Sequence, residues 1–70
     1  MASQTYRLTV KGELSDRMRL TFEGMALTRA DGTTTLIGPV RDQAELQGLL
    51  QRVCDLGLTL LEATALDEVG

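Results

Sequence analysis

A chain of 70 residues with a net charge of −3 is long enough for one small domain and too short for two independent hydrophobic cores. Its 43% hydrophobic and 24% charged residues are typical of a folded globular chain and argue against intrinsic disorder. The negative charge, with only one tyrosine and one phenylalanine, disfavours nucleic-acid binding, which uses basic surfaces and aromatic stacking. We therefore expect a single domain over residues 1–70, with residues 1–4 and 67–70 frayed.

The cysteine and histidine content limits how so small a core can be stabilised. Cys54 is the single cysteine and there is no histidine, so neither an intrachain disulfide nor a zinc site is expected. No apolar segment is long enough to span a bilayer, and no signal-peptide pattern is present. These features predict a cytoplasmic protein that has no cofactor or metal and does not bind membranes, for which a second subunit is the remaining source of stability.

The first third of the chain predicts one strand followed by an ambiguous segment. Residues 5–11 alternate apolar and polar side chains and end at Gly12, which is typical of a half-buried strand. Residues 14–23 fit a helix of about two turns with Ser15 as N-cap and Gly24 as its stop, but they also alternate as a second strand would. The short helix is the main prediction and the strand is the alternative.

The next segment predicts a β-hairpin. Asp31-Gly32 suits a type I′ turn, whose two central residues both need positive φ. It separates predicted strands over residues 25–30 and 33–38. Pairing across the turn would match two pairs of apolar residues: Leu27 with Leu36 and Ala26 with Ile37. Pro39 is expected to end the second strand, because it cannot donate a ladder hydrogen bond.

The clearest segment is a capped amphipathic helix that ends near Leu56. Asp42 is a strong N-cap, and the Glu45 side chain can reach back to the N–H of that cap, a variant of the capping box. Apolar residues recur at the spacing of one helix face: Leu46, Leu49, Leu50, Val53 and Cys54. Gly57 is placed to stop the helix, after which residues 58–66 predict a last strand.

The predicted order of elements is β-(short α)-β-β-α-β. A right-handed crossover in each βαβ half then favours an α+β fold, a ferredoxin-like two-layer sandwich. If residues 14–23 form a strand instead, the alternative is an antiparallel β-meander with a single helix in the C-terminal half of the chain.

From Gly38 to Leu61 the sequence reads GPVRDQAELQGLLQRVCDLGLTLL. This stretch resembles a family of small, uncharacterised bacterial proteins whose C-terminal half carries the same Gly-Pro-Val, Asp-Gln-Ala, Gly-Leu-Leu and Asp-Leu-Gly-Leu motifs. The resemblance extends more weakly to residues 14–24, where relatives tend to have tryptophan and this chain has Met18 and Thr21. No activity is established for that family, so the resemblance implies no active site, and the aromatic-poor segment argues against an aromatic ligand clamp.

No residues in the sequence form a recognisable catalytic or metal-binding motif. Cys54 lies on the apolar helix stripe with no histidine to act as a base, so we expect it to be buried and inert. Asp42 and Glu45 are explained by helix capping rather than by a divalent cation. Gly48 is not explained in this way. A glycine inside a helix costs about 1 kcal/mol relative to alanine, so either another backbone approaches closely or the cost is tolerated.

The function favoured by the sequence is a non-enzymatic protein-interaction or regulatory module. A helix of about two turns cannot cover half of a four-stranded sheet, which leaves apolar side chains exposed to a partner. We expect a homodimer, with another protein as a further partner. The residues of this expected partner surface are Met18, Leu20, Phe22 and Met25. The alternative is a domain that binds a small metabolite at the loop of Gly12 and Ser15, as ACT-type regulatory domains of similar topology do.

Overall fold

The computed structural model of the protein describes residues 4–66, apart from the side chain of Arg19. Within these residues the elements are, in order, β1 (Gln4–Lys11), α1 (Met18–Thr21), β2 (Ala26–Ala30), β3 (Thr33–Val40), α2 (Gln43–Asp55) and β4 (Leu60–Leu66). The chain is therefore α+β, as the sequence predicts. The expected fraying of residues 1–3 and 67–70 lies outside the described residues, and Gln4 is the first residue of β1.

The four described strands form one sheet in the order β2-β3-β1-β4, with every neighbouring pair antiparallel. β1 and β3 are the central strands, and β2 and β4 are the two edges. Two connections pass over a strand before the chain returns to the sheet. The first crossover, residues 12–25, passes over β3, and the second crossover, residues 41–59, passes over β1.

The hydrophobic core lies on the face of the sheet that the two crossovers cover. Leu8 and Val10 of β1 and Leu36 of β3 are fully buried on this face. Phe22 from the first crossover and Val53 from α2 complete the buried cluster. Leu8 and Val10 alternate with partly exposed residues along β1, so the two-residue period predicted for this strand is confirmed.

The predicted hairpin of β2 and β3 has the predicted turn and register. Asp31 and Gly32 have φ angles of 52° and 78°, as the positive φ of a type I′ turn requires. The apolar pairs are also as predicted: Leu27 with Leu36 and Ala26 with Ile37. The turn chemistry and the alternation of side chains therefore agree on one register.

The prediction that Pro39 ends β3 is wrong, because the strand continues through this residue. Successive residues of an antiparallel strand turn their backbone groups to opposite sides. The N–H of Gly12 bonds to the carbonyl of Gly32 at 2.6 Å, so the even-numbered residues of β3 face β1 and the odd-numbered ones face β2. However, β2 begins at Ala26, opposite Ile37. Pro39 lies beyond that pair, where no ladder hydrogen bond needs its missing N–H.

α2 begins and ends as predicted. The Asp42 carboxylate accepts a hydrogen bond from the Glu45 N–H at 2.9 Å. The Glu45 carboxylate accepts from the N–H of Arg41 at 2.7 Å, one residue before the donor that the sequence suggests. At the other end Gly57 has a φ of 74° and the last turn closes with a Schellman motif. β4 then begins at Leu60, two residues later than predicted.

The first crossover differs most from the prediction. α1 has four residues, about one turn rather than about two, and its N-cap is Arg17 rather than Ser15. This cap makes no side-chain hydrogen bond to the helix. So short a helix without a cap leaves most of its terminal backbone groups unpaired by the helix itself, which explains why it does not extend. No part of residues 14–23 is a strand.

Gly38 is required by a close contact between β3 and the first crossover. A Cβ built on this residue would lie 2.8 Å from Cγ of Met25 and 2.9 Å from the carbonyl oxygen of Gly24. Real Cβ atoms essentially never approach other atoms so closely, so a side chain here would force the turn away from the sheet. Packing therefore explains the glycine of the Gly-Pro-Val motif.

Candidate interaction surfaces

The four residues of the expected partner surface differ in exposure. Phe22 is only 1% exposed and belongs to the core, so it does not contribute to a surface of the folded chain. Met18 and Met25 are partly buried and pack against the core. Leu20, by contrast, is 82% exposed on α1. Because one helical turn directs the larger side chains of this segment inward, Leu20 is the member of the group that a partner can bury.

The expected ligand loop is closed by hydrogen bonds within the chain. Gly12, with a φ of 97°, donates to the neighbouring hairpin turn at 2.6 Å. Its carbonyl accepts from the Thr34 hydroxyl at 2.7 Å, and that hydroxyl accepts from the Leu14 N–H at 2.9 Å. The carbonyl of Ser15 accepts from the N–H of Met18 at 3.0 Å. These bonds occupy the backbone groups that a polar ligand would use.

Thr34 connects this loop to β3, a role that no sequence motif indicates. Its side chain is fully buried, and its hydroxyl connects two residues of the first crossover. In the part of the chain that the structure describes, no buried side-chain polar atom lacks a hydrogen-bond partner. The sequence does contain one indication of this burial. Alternate residues of a strand lie on the same face, so Thr34, two residues before Leu36, lies on the core face of β3.

Arg29 holds the same loop from the side of β2. Its guanidinium donates to the Leu14 carbonyl at 2.9 Å and lies 3.0 Å from the Asp16 carboxylate. The loop is therefore fixed by side chains of two strands, since Thr34 belongs to β3 and Arg29 to β2. This arrangement has a structural explanation that needs no ligand.

A cleft of about 270 Å³ separates α2 from the turn that follows α1. Its lining includes Gly48 and Leu49 of α2 and, from other elements, Met25 and Pro39. A Cβ built on Gly48 would meet no atom of the described residues within 4 Å, leaving aside its chain neighbours and the local helix backbone. Within this chain, therefore, no close backbone approach explains the glycine.

The expectation that Cys54 is buried is wrong, because this residue is exposed. Val53 is the buried residue of α2, whereas the three leucines of the predicted stripe are partly exposed: Leu46, Leu49 and Leu50. The stripe therefore buries a narrower band than the sequence suggests. Among residues 4–66 no group of three or more cysteine, aspartate or glutamate side chains is placed to hold a metal ion.

Exposed apolar side chains cluster in sequence around the end of α2 and the edge strand β4. Leu56 and Leu60 are each 39% exposed, and Leu61 is 52% exposed. Ala63 and Ala65 lie opposite core-facing residues of β1 and are also exposed. Within residues 4–66, the core-side face of the sheet is thus left uncovered along this edge.

β4 carries one charged residue in the described part of the chain. Glu62 lies opposite Thr9 on the other face of the sheet, and its carboxylate is 4.0 Å from the guanidinium of Arg7. Both side chains are substantially exposed, so the pair contributes little stability. Arg7 therefore balances the charge of Glu62 locally, and the rest of β4 is uncharged.

The fold and these surfaces define a small α+β protein with an incompletely covered antiparallel sheet. The chain belongs to the family described as Domain of unknown function (DUF8691), whose model matches residues 5–64. This membership agrees with the resemblance of the sequence to an uncharacterised family. No curated protein and no solved structure matches the chain. Neither of the described helices is long and apolar enough to cross a membrane.

Proposed function

We propose that the chain is a non-enzymatic interaction or regulatory module that works as a homodimer. The observation that carries this proposal is the incomplete cover of the sheet. The first crossover supplies a helix of 4 residues, whereas the second supplies one of 13. Four leucines remain exposed: Leu20, Leu56, Leu60 and Leu61. A partner that removes apolar area of this kind from water gains about 25 cal/mol per Å².

The size of the core also supports a second subunit. The buried hydrophobic side chains of the described residues come from seven positions: Leu8, Val10, Leu14, Phe22, Leu36, Val40 and Val53. A domain of about this length buries only about 60% of the surface that its unfolded chain exposes, so its stability margin is thin. Self-association adds buried area without lengthening the chain.

We further propose that the fold is a ferredoxin-like sandwich. The strand order β4-β1-β3-β2, with antiparallel neighbours, supports this assignment. Two interleaved βαβ crossovers of the same hand produce such an order. An experimental structure in which either crossover has the opposite hand would contradict the assignment.

A cytoplasmic location is part of the proposal. Cys54 is an exposed thiol without a second cysteine in the chain. Such a thiol stays reduced in the cytoplasm, whereas an oxidising compartment favours intermolecular disulfides. Fractionation of cells that express the tagged protein tests the location, and recovery outside the cytoplasmic fraction would contradict it.

The homodimer is tested by measuring the mass of the protein in solution. Sedimentation equilibrium and light scattering, from low to high micromolar concentration, should give twice the 7.6 kDa of the chain. The proportion of dimer should rise with concentration. A monomer at every concentration would overturn the self-association.

The alternative, a metabolite-binding domain, has less support because the loop of Gly12 and Ser15 makes internal hydrogen bonds with its backbone groups. A thermal-shift screen with amino acids and nucleotides tests this alternative. A ligand at 100 times its Kd adds about 2.7 kcal/mol to the free energy of unfolding. If no compound raises the melting temperature, the metabolite-binding alternative is wrong.

A further inference from the structure

We propose that two copies of the chain pair through β4, edge to edge and antiparallel, so that their sheets join into one continuous sheet. This inference rests on the proposed self-association and specifies its surface and its occupant. The occupant is a second copy of the same strand. Three properties of β4 support this pairing: its outward-facing backbone groups, the weak protection of its edge, and its charge.

The outer side of β4 carries backbone groups that no described strand pairs. The N–H of Lys11 bonds to the carbonyl of Thr59 at 2.9 Å, so the odd-numbered residues of β1 face β4. Ala63 and Ala65 lie opposite even-numbered residues of β1 and therefore turn their N–H and C=O groups outward. An edge with such groups is a template for another extended strand.

The other edge of the sheet is better protected. β2 is only five residues long and carries the charged residue Arg29. The Arg29 side chain reaches Leu14 and Asp16, which ties the first crossover to this edge. β4, by contrast, has seven residues, LLEATAL, without proline, lysine or arginine. Of the devices by which natural edges avoid pairing, β4 lacks short length, proline and positive charge, and it has one β-bulge and one acidic residue, Glu62.

A β-bulge sets where regular pairing can occur. The register between β1 and β4 shifts between Thr9 and Val10, so the regular part of the edge is residues 62–66. The centre of this segment is Thr64. A two-fold axis at Thr64 places Ala63 of each copy opposite Ala65 of the other, and all the outward-facing groups of these alanines then find partners.

Charge also permits the strand to pair with itself. In this register Glu62 lies opposite Leu66 of the second copy, and the two Glu62 residues are about 14 Å apart along the strands. Charges separated by more than the Debye length of about 8 Å are largely screened at physiological salt. Each Glu62 also keeps Arg7 of its own chain nearby. Within residues 60–66, this register therefore brings no like charges together.

The first measurement is the mass of the wild-type chain in solution. It distinguishes failure of the proposed homodimer from failure of the edge pairing alone. If the chain is monomeric at every concentration, the proposed function and the edge pairing both fail. If it is dimeric, amide hydrogen exchange by NMR measures the edge directly. The amides of Ala63 and Ala65 should exchange at least about tenfold more slowly at concentrations where the dimer dominates than at concentrations where the monomer dominates. The outward amides of Leu27 and Arg29 on β2 are internal controls and should not change.

In a dimeric sample, unchanged exchange at Ala63 and Ala65 would overturn the edge pairing and leave the homodimer intact. A third outcome is also informative. If these amides are slowed only after an extended peptide of different sequence is added to a monomeric chain, the edge binds foreign strands, and the self-pairing is overturned.

Matched variants give an independent measurement on the full chain. Ala63→Lys adds a positive charge at the pairing edge, and we expect the Kd of the dimer to rise by about tenfold or more. Ala26→Lys makes the same change on β2 and is the control, which should remain dimeric. Leu20→Gln changes the exposed leucine of α1 and distinguishes the edge pairing from an interface on the first crossover. If Leu20→Gln dissociates the dimer and a folded Ala63→Lys does not, the interface lies on the first crossover and the inference is wrong.

Discussion

The first crossover, residues 12–25, and the second crossover, residues 41–59, each connect two strands that have one other strand between them. They solve this task differently. The second uses a 13-residue helix whose ends are capped by Asp42 and by a Schellman motif. The first uses a four-residue helix without a side-chain cap and is held by contacts with residues distant in sequence.

This difference has a consequence for the surface. A helix satisfies its own backbone groups and can cover a sheet with a continuous stripe. In a short loop, side chains of the strands must bond to the backbone groups that no helix pairs, as Thr34 and Arg29 do in the first crossover. It then covers less of the sheet. The two crossovers can be compared experimentally by substituting the residues that fix each of them to the sheet.

The largest effect is expected in the first crossover, for Phe22→Ala. Phe22 is the largest fully buried side chain, and replacing a buried phenylalanine by alanine costs about 3–5 kcal/mol. Leu20→Ala, two residues earlier but 82% exposed, should change the free energy of unfolding by less than about 0.5 kcal/mol. Urea unfolding followed by circular dichroism measures both values. Similar losses for the two variants would contradict the assignment of Phe22 to the core.

A smaller loss is expected for Thr34→Val, which keeps the shape of the side chain but removes its hydroxyl. The N–H of Leu14 and the carbonyl of Gly12 would lose their partner, at a cost of about 1–3 kcal/mol. Thr35→Val is the matched control, because Thr35 lies on the opposite face and should change stability by less than about 0.5 kcal/mol. Equal free energies of unfolding for Thr34→Val and the wild type would mean that the hydroxyl does not hold the crossover.

The smallest effect is expected in the second crossover, for Gly48→Ala. A Cβ at this position meets open space, so the change should stabilise the chain by about 0.5–1 kcal/mol through the helix propensity of alanine. The same substitution at Gly38 should destabilise it by about 1–3 kcal/mol, because the new methyl collides with Met25. Thermal unfolding of the two variants should therefore shift in opposite directions. A loss of stability at Gly48 would contradict the open geometry.

Much of the second crossover and the hairpin was predictable, because their signals are local. Asp42 caps the residue three positions later, Gly57 ends the preceding helix, and Asp31-Gly32 forms its own turn. The candidate surface was predictable only in part. Leu20 is exposed as expected, but Phe22 lies in the core because the position of a residue after a single helical turn depends on how that turn docks.

The sequence by itself determined the hairpin register and both ends of α2, since each depends on residues close together in the chain, whereas it left residues 14–23 open between a helix and a strand. Only the tertiary structure decided the surroundings of Thr34, Pro39 and Cys54. Burial of the Thr34 hydroxyl needs Gly12 and Leu14, more than nineteen residues away. The tolerance of β3 for Pro39 depends on where β2 begins. The exposure of Cys54 depends on which flank of α2 the rest of the chain covers, and residues distant in sequence determine that.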